Sequence, residues 1–68
     1  MELTINHNKK SFAQPLPSLE ALMHLEVPGK TKGIAVALND RVVPRGKWAD
    51  TVLRDQDVIL IITAAQGG

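Results

Sequence analysis

Few residues in this chain of 68 could do chemistry. Gly29-Lys30-Thr31 has the last three positions of a phosphate-binding loop. That motif also needs a glycine five positions before Gly29, where His24 stands, and it must follow a strand, whereas this segment follows a helical pattern. Asp55 and Asp57 are two carboxylates flanking Gln56, but a hard metal ion wants several more oxygen ligands. Two aspartates ahead of an apolar strand are ordinary turn residues. Ser11, Ser18, His7 and His24 bring hydroxyls and imidazoles, yet no motif of a nucleophile and its base joins them, and no sharp strand-to-helix elbow presents a serine. His24 reads as a surface residue of a helix, and His7 as a turn residue. The expectation is a chain with no catalytic residue of its own and no metal site.

Gly67-Gly68 differs from these places. Lacking Cβ atoms, two glycines can pass a channel that rejects any larger residue and can take whatever φ and ψ are demanded inside it. A terminal carboxylate there, with an ordinary pKa of about 3.5, is ionised at neutral pH. Such a carboxylate can attack the α-phosphate of ATP, and the resulting acyl-adenylate is readily attacked by sulfur.

Composition narrows the remaining classes. A domain of this size buries only about 60% of the surface its unfolded chain exposes, which leaves little room for an enclosed pocket. There is no cysteine, so thiolate-zinc, iron-sulfur and dithiol chemistry are excluded. The longest apolar run, Val58 to Ile62, is far short of the ~20 residues that span a bilayer. Met1-Glu2-Leu3-Thr4 has neither a basic region nor an apolar signal segment, so a cytoplasmic location is expected. Eight Lys and Arg against seven Asp and Glu give a net charge of +1, which makes no broad field for nucleic acid. Phe12 and Trp48 are the only aromatics available for base stacking.

The elements that would position Gly67 and Gly68 follow from patterning. Leu3 and Ile5 alternate with polar residues, and after Asn6-His7-Asn8-Lys9 a second stretch, Lys10 to Gln14, completes a hairpin. Pro15 and Pro17 break the ladder. Ser18 caps a helix with Leu19, Leu22 and Met23 on one face, ending by Val27-Pro28-Gly29. Ile34 to Leu38 is a strand, Asn39-Asp40 a tight turn, and Arg41 to Val43 a short strand that Pro44 ends. Gly46 to Leu53 reads as an irregular or one-turn helical connection, and Asp55-Gln56-Asp57 as a turn. Val58 to Ile62 is apolar on both faces, as expected of a central strand covered on each side. One helix can bury its stripe only against the sheet, so the order ββαβββ implies an α+β fold, a mixed sheet of about four to five strands curled around the helix: the β-grasp arrangement. The expected core is Leu3, Ile5, Leu19, Leu22, Met23, Val36, Leu38, Val58, Leu60 and Ile62. Residues 1–63 form the body, and 64–68 a flexible tail.

Val36-Ala37-Leu38-Asn39, Val42-Val43-Pro44-Arg45 with Trp48, Leu53-Arg54-Asp55-Gln56-Asp57 and the final Gly67-Gly68 together carry a resemblance. In this order and spacing they resemble the ThiS family, the sulfur carriers of thiamine biosynthesis, which are ubiquitin-like β-grasp proteins. Gln56 stands where the family usually has glycine. The resemblance implies that a partner adenylyltransferase uses ATP and Mg to adenylate Gly68. Sulfur relayed from a cysteine desulfurase then converts it to a thiocarboxylate, and thiazole synthase accepts that sulfur. The chain itself would bind no cofactor and be a monomer when free. Gly68 is the modified residue and Gly67 gives access; Arg45 and Trp48 match family positions as candidate partner contacts, with packing the first expectation for the tryptophan.

Three other readings compete with this one. The small subunit of molybdopterin synthase uses the same diglycine chemistry on another acceptor. A ubiquitin-like interaction domain would use only its sheet surface. A small RNA-binding module would use Lys30, Lys32, Arg41, Arg45 and Lys47, and its binding would weaken steeply with salt.

Overall fold

Antiparallel strands β1 (Glu2–Ile5) and β2 (Asn8–Ser11) set Ile5 opposite Asn8, so their turn is only Asn6 and His7. Both turn residues are left-handed, with φ of 50° and 71°. That geometry matches the twist of the flanking strands and is one that asparagine tolerates well. Our computed structural model, which describes residues 1–28 and 33–63, thereby corrects the second strand expected at Lys10 to Gln14. Asn8 and Lys9 belong to the ladder, because the turn needs two residues and not four. Met1 and Phe12 add a rung: the Phe12 amide donates to the Met1 carbonyl at 2.7 Å, and the Met1 amine to the Phe12 carbonyl at 3.0 Å.

The second hairpin repeats the device. Strands β3 (Ile34–Leu38) and β4 (Arg41–Val43) are joined by Asn39 and Asp40, again left-handed at 49° and 71°. Between the hairpins lies β5 (Val58–Thr63), parallel to β1 and antiparallel to β3, which makes a five-stranded mixed sheet in the order β2-β1-β5-β3-β4.

Helix α1 (Leu19–Glu26) crosses one face of this sheet. Its start is fixed by Ser18, whose Oγ accepts the Ala21 amide at 3.2 Å, answering one of the donors a helix start leaves open. Val27 caps the other end, donating its amide to the Met23 carbonyl at 2.9 Å, just before Pro28. Leu19, Leu22 and Met23 are buried against Leu3, Ile5, Val36 and Ile59, which is the helix-on-sheet core expected of a β-grasp fold. Glu26 on the helix takes a salt bridge from Lys10 on β2, with Nζ 3.0 Å from Oε1.

The connection after β4 is a 3-10 helix (Arg45–Asp50) that closes the core from below. Trp48 and Leu53, absent from the expected core, are both buried there. The Trp48 indole N–H donates to the Val43 carbonyl at 2.9 Å, so its one polar atom is satisfied and the ring can pack inside. Leu19 donates its amide to the Thr51 carbonyl at 2.8 Å, tying this segment to the start of α1.

The largest correction concerns β5. Ile59 and Ile61 point toward the helix, while Val58, Leu60 and Ile62, expected in the core, are 48%, 38% and 50% exposed. Leu38 is partly buried against the core. An unbroken apolar run does not say which parity faces inward; register does, and Ile59 lies opposite both Ile5 and Leu38. A single helix covers a single face, so β5 is central within the sheet and open on its other side.

Candidate functional site

The open face divides sharply. Directly paired residues share a face, so Thr4 lies beside Lys9 and Val58, Leu60 beside Ala37, Ala37 beside Val42, and Ile62 beside Ala35. On β1 and β2 the outward residues are polar. On β5, β3 and β4 they are Val58, Leu60, Ile62, Ala35, Ala37 and Val42, with Val42 74% exposed. The small alanines of β3 make a shallow floor between taller side chains on either side. Contiguous exposed apolar surface of this kind marks an interaction site more often than it decorates a surface. Sequence reasoning placed half of these residues in the core; the signal that identifies them is that one α-helix stands against five strands among the described residues.

Cations are frequent in the segment from the edge strand to the turn before β5. Between residues 41 and 54 stand Arg41, Arg45, Lys47 and Arg54, with Asp50 as the lone acid. Arg41 flanks Val42 on the edge strand, and the Arg45 guanidinium lies over the Trp48 ring, 5.8 Å from its centroid. Of the two residues named as partner contacts, Arg45 is therefore at the surface. Trp48 is 4% exposed and packs in the core.

β5 ends at Thr63, beside the apolar patch, and leads to residues 64–68. Gly67, Gly68 and the expected flexible tail lie outside the described residues, as does Gly29-Lys30-Thr31. Two asparagines hold the strand that leads there. At its start Asn39 accepts the Val58 amide on Oδ1 at 2.9 Å and donates Nδ2 to Asp57 Oδ1 at 3.0 Å. Farther along, Asn6 Oδ1 accepts the Ile61 amide at 2.7 Å.

The aspartates of the Asp55-Gln56-Asp57 turn are spent on backbone. Asp55 Oδ1 accepts the Glu2 amide at 2.6 Å and Asp57 Oδ2 the Arg54 amide at 2.8 Å. The Glu2 amide, and after it the Gln56 side chain, hold the Asp55 carboxyl below its ordinary pKa. Gln56 has a φ of 73°, a left-handed conformation suited to glycine, and donates its amide to the Glu2 carbonyl at 2.6 Å. Among the described residues no group of three or more His, Asp or Glu side chains could hold a metal ion. No described helix is long and apolar enough to cross a membrane.

Comparison with known proteins gives a family and a shared fold. The model of the ThiS family matches residues 1–68. The sulfur carrier protein ThiS of Escherichia coli (strain K12) is 42% identical over 36 residues, a match covering 53% of this chain and 54% of that relative. The matched part thus spans about half the length of the curated relative. The crystal structure of the thiamine biosynthesis protein ThiS from Geobacter metallireducens superposes with a TM-score of 0.84 at 22% identity, covering 100% of each chain, and shows the shared fold.

Proposed function

The chain belongs to the ThiS family, and from that premise we propose that it is a sulfur carrier of thiamine biosynthesis, acted upon by enzymes and not itself one. The observation that carries this reading is that the family match runs through Gly67 and Gly68. In the proposed cycle a carboxylate oxygen of Gly68 attacks the α-phosphorus of MgATP on a partner adenylyltransferase, and the bond to the bridging oxygen breaks with loss of pyrophosphate. The terminal sulfur of a persulfide supplied through a cysteine desulfurase relay then attacks the acyl carbon and displaces AMP, giving an acyl disulfide. A second thiol of the relay cleaves its S–S bond, forming a disulfide within the relay and leaving the sulfur on Gly68. The thiocarboxylate so formed gives its sulfur to thiazole synthase. The chain binds neither ATP nor metal in this scheme; it supplies the reacting group, its access through Gly67, and a docking face. Val42, Leu60 and Ile62 are the anchors of that face. The cycle is proposed to run in the cytoplasm, with the carrier a monomer between encounters.

The test is incubation with the adenylyltransferase, MgATP and a sulfur donor, read by intact mass. Loading replaces one oxygen by sulfur. Deleting Gly68, or adding one residue beyond it, shifts the carboxylate by up to ~3.6 Å. A 1 Å misplacement of reacting groups already costs on the order of 100-fold. Both variants are expected to lose loading while melting like the parent. Wild-type loading rates in both would remove Gly68 as the reactive residue and leave an interaction domain in its place.

A further inference from the structure

We infer that Asn6, at the tip of the first hairpin, is a positioning residue for sulfur loading, through the bond its side chain makes to the strand that carries the reactive end. The inference rests on the carrier reading above. On the β1 side of β5 the ladder runs regularly at first: the Thr4 amide donates to the Asp57 carbonyl and the Asn6 amide to the Ile59 carbonyl, both at 3.0 Å. The next rung would need the backbone carbonyl of residue 6. At Asn6 the chain turns left-handed into the hairpin, and that carbonyl instead accepts the Asn8 Nδ2 at 3.2 Å. The Asn6 side chain takes its place, with Oδ1 2.7 Å from the Ile61 amide. A side-chain oxygen thus extends the ladder beyond the end of β1.

Among the described residues this rung is the last hold on that side. From Ile61 to Thr63 the strand is paired with β3, where Thr63 lies opposite Ile34, while no strand among the described residues continues the β1 side past the pair Ile5 and Ile59. A strand end held along one edge can pivot about that edge; held on both edges it cannot. The rung thereby holds the direction of β5 at Thr63, the last described residue before the chain continues toward Gly68. With the open face docked, reach to the reacting site starts from that root, and misplacement of reacting groups by about 1 Å is already costly.

Two substitutions separate the bond from the backbone conformation. Asn6→Gly keeps the left-handed φ at no steric cost but removes Oδ1. Asn6→Asp keeps an acceptor oxygen on a residue that also visits this conformation. The experiment follows pyrophosphate release and thiocarboxylate formation with the adenylyltransferase, MgATP and a sulfur donor, with amide exchange at Ile61 and a melting curve alongside. Asn6→Gly is expected to exchange the Ile61 amide roughly five- to tenfold faster, the population shift worth one hydrogen bond. Its kcat should fall on the order of tenfold with KM for the carrier unchanged, because the docking face is untouched. Asn6→Asp should restore both readouts to within about twofold of the parent. Faster exchange with parental kcat, or a change confined to KM, overturns the positioning role, and unchanged exchange overturns the clamp itself. Failure of the parent to load any sulfur would instead sink the carrier reading, and this inference with it.

Discussion

The two faces of the sheet are made of the same kinds of residue and serve opposite ends. On one face Leu3, Ile5, Val36 and Ile59 are sealed under α1 and the 3-10 helix. On the other, Val42, Val58, Leu60 and Ile62 stand in solvent. Strand β5 supplies both sets alternately, so adjacent residues of one apolar run differ in whether they are sealed in the core or left exposed. Apolarity alone does not decide burial. The number of layers decides it, and a chain this short has one helix to spend on two faces.

If that division holds, substitutions should separate stability from binding. The largest effect is expected at Leu22, fully buried on the helix: Leu22→Ala should cost about 2–5 kcal/mol by urea denaturation. A loss below about 0.5 kcal/mol would mean the helix does not seal that face. On the open face, Val42→Thr combined with Ile62→Thr keeps β-branched side chains and should change stability by no more than about 0.5 kcal/mol. The same pair should weaken binding to the adenylyltransferase by about tenfold or more in a titration, a loss of at least ~1.4 kcal/mol.

Two smaller effects belong to the turn that precedes β5. Gln56→Gly should stabilise the protein by about 0.5–1 kcal/mol, since the left-handed backbone at this position costs a side chain roughly 1–2 kcal/mol and the bonds of Gln56 Nε2 to Glu2 and Asp55 are exposed. At Asp55 the sign follows from a folded pKa below the ordinary 3.8. Its contribution is complete above that ordinary value and is lost as pH falls through the lower folded one. Asp55→Asn should therefore melt below the parent at neutral pH, with the gap closing in acid. A gap that widens in acid would place the cause elsewhere.

Much of this architecture was legible because local signals were unambiguous. Ser18 before an i, i+3, i+4 apolar stripe, Val27-Pro28 after it, and Asn39-Asp40 between two β-branched stretches each state a boundary in one or two residues. The first hairpin was misread because Asn6-His7-Asn8-Lys9 is polar throughout, and nothing local shows that two of the four belong to the ladder. Trp48 and Leu53 were missed because irregular segments have no period from which an inward face could be read. The open face escaped for a different reason: parity in Val58 to Ile62 is set by partners more than 50 positions away in the case of β1. Gly67 and Gly68 lie outside the described residues, so their proposed chemistry rests on the sequence and the family match, whereas Asn6 reads as a turn residue and only the fold sets its Oδ1 on the Ile61 amide.

The strand order has a consequence for synthesis. β1-β2 and β3-β4 can each close locally, but the two hairpins share no ladder, and β5 alone joins them. A nascent chain that has not yet released Val58 to Thr63 from the ribosome holds two marginal hairpins and no sheet. A fragment terminated early also lacks Val58, Leu60 and Ile62, half of the apolar residues of the open face. Such a fragment therefore has neither the strand that joins the sheet nor a complete open face.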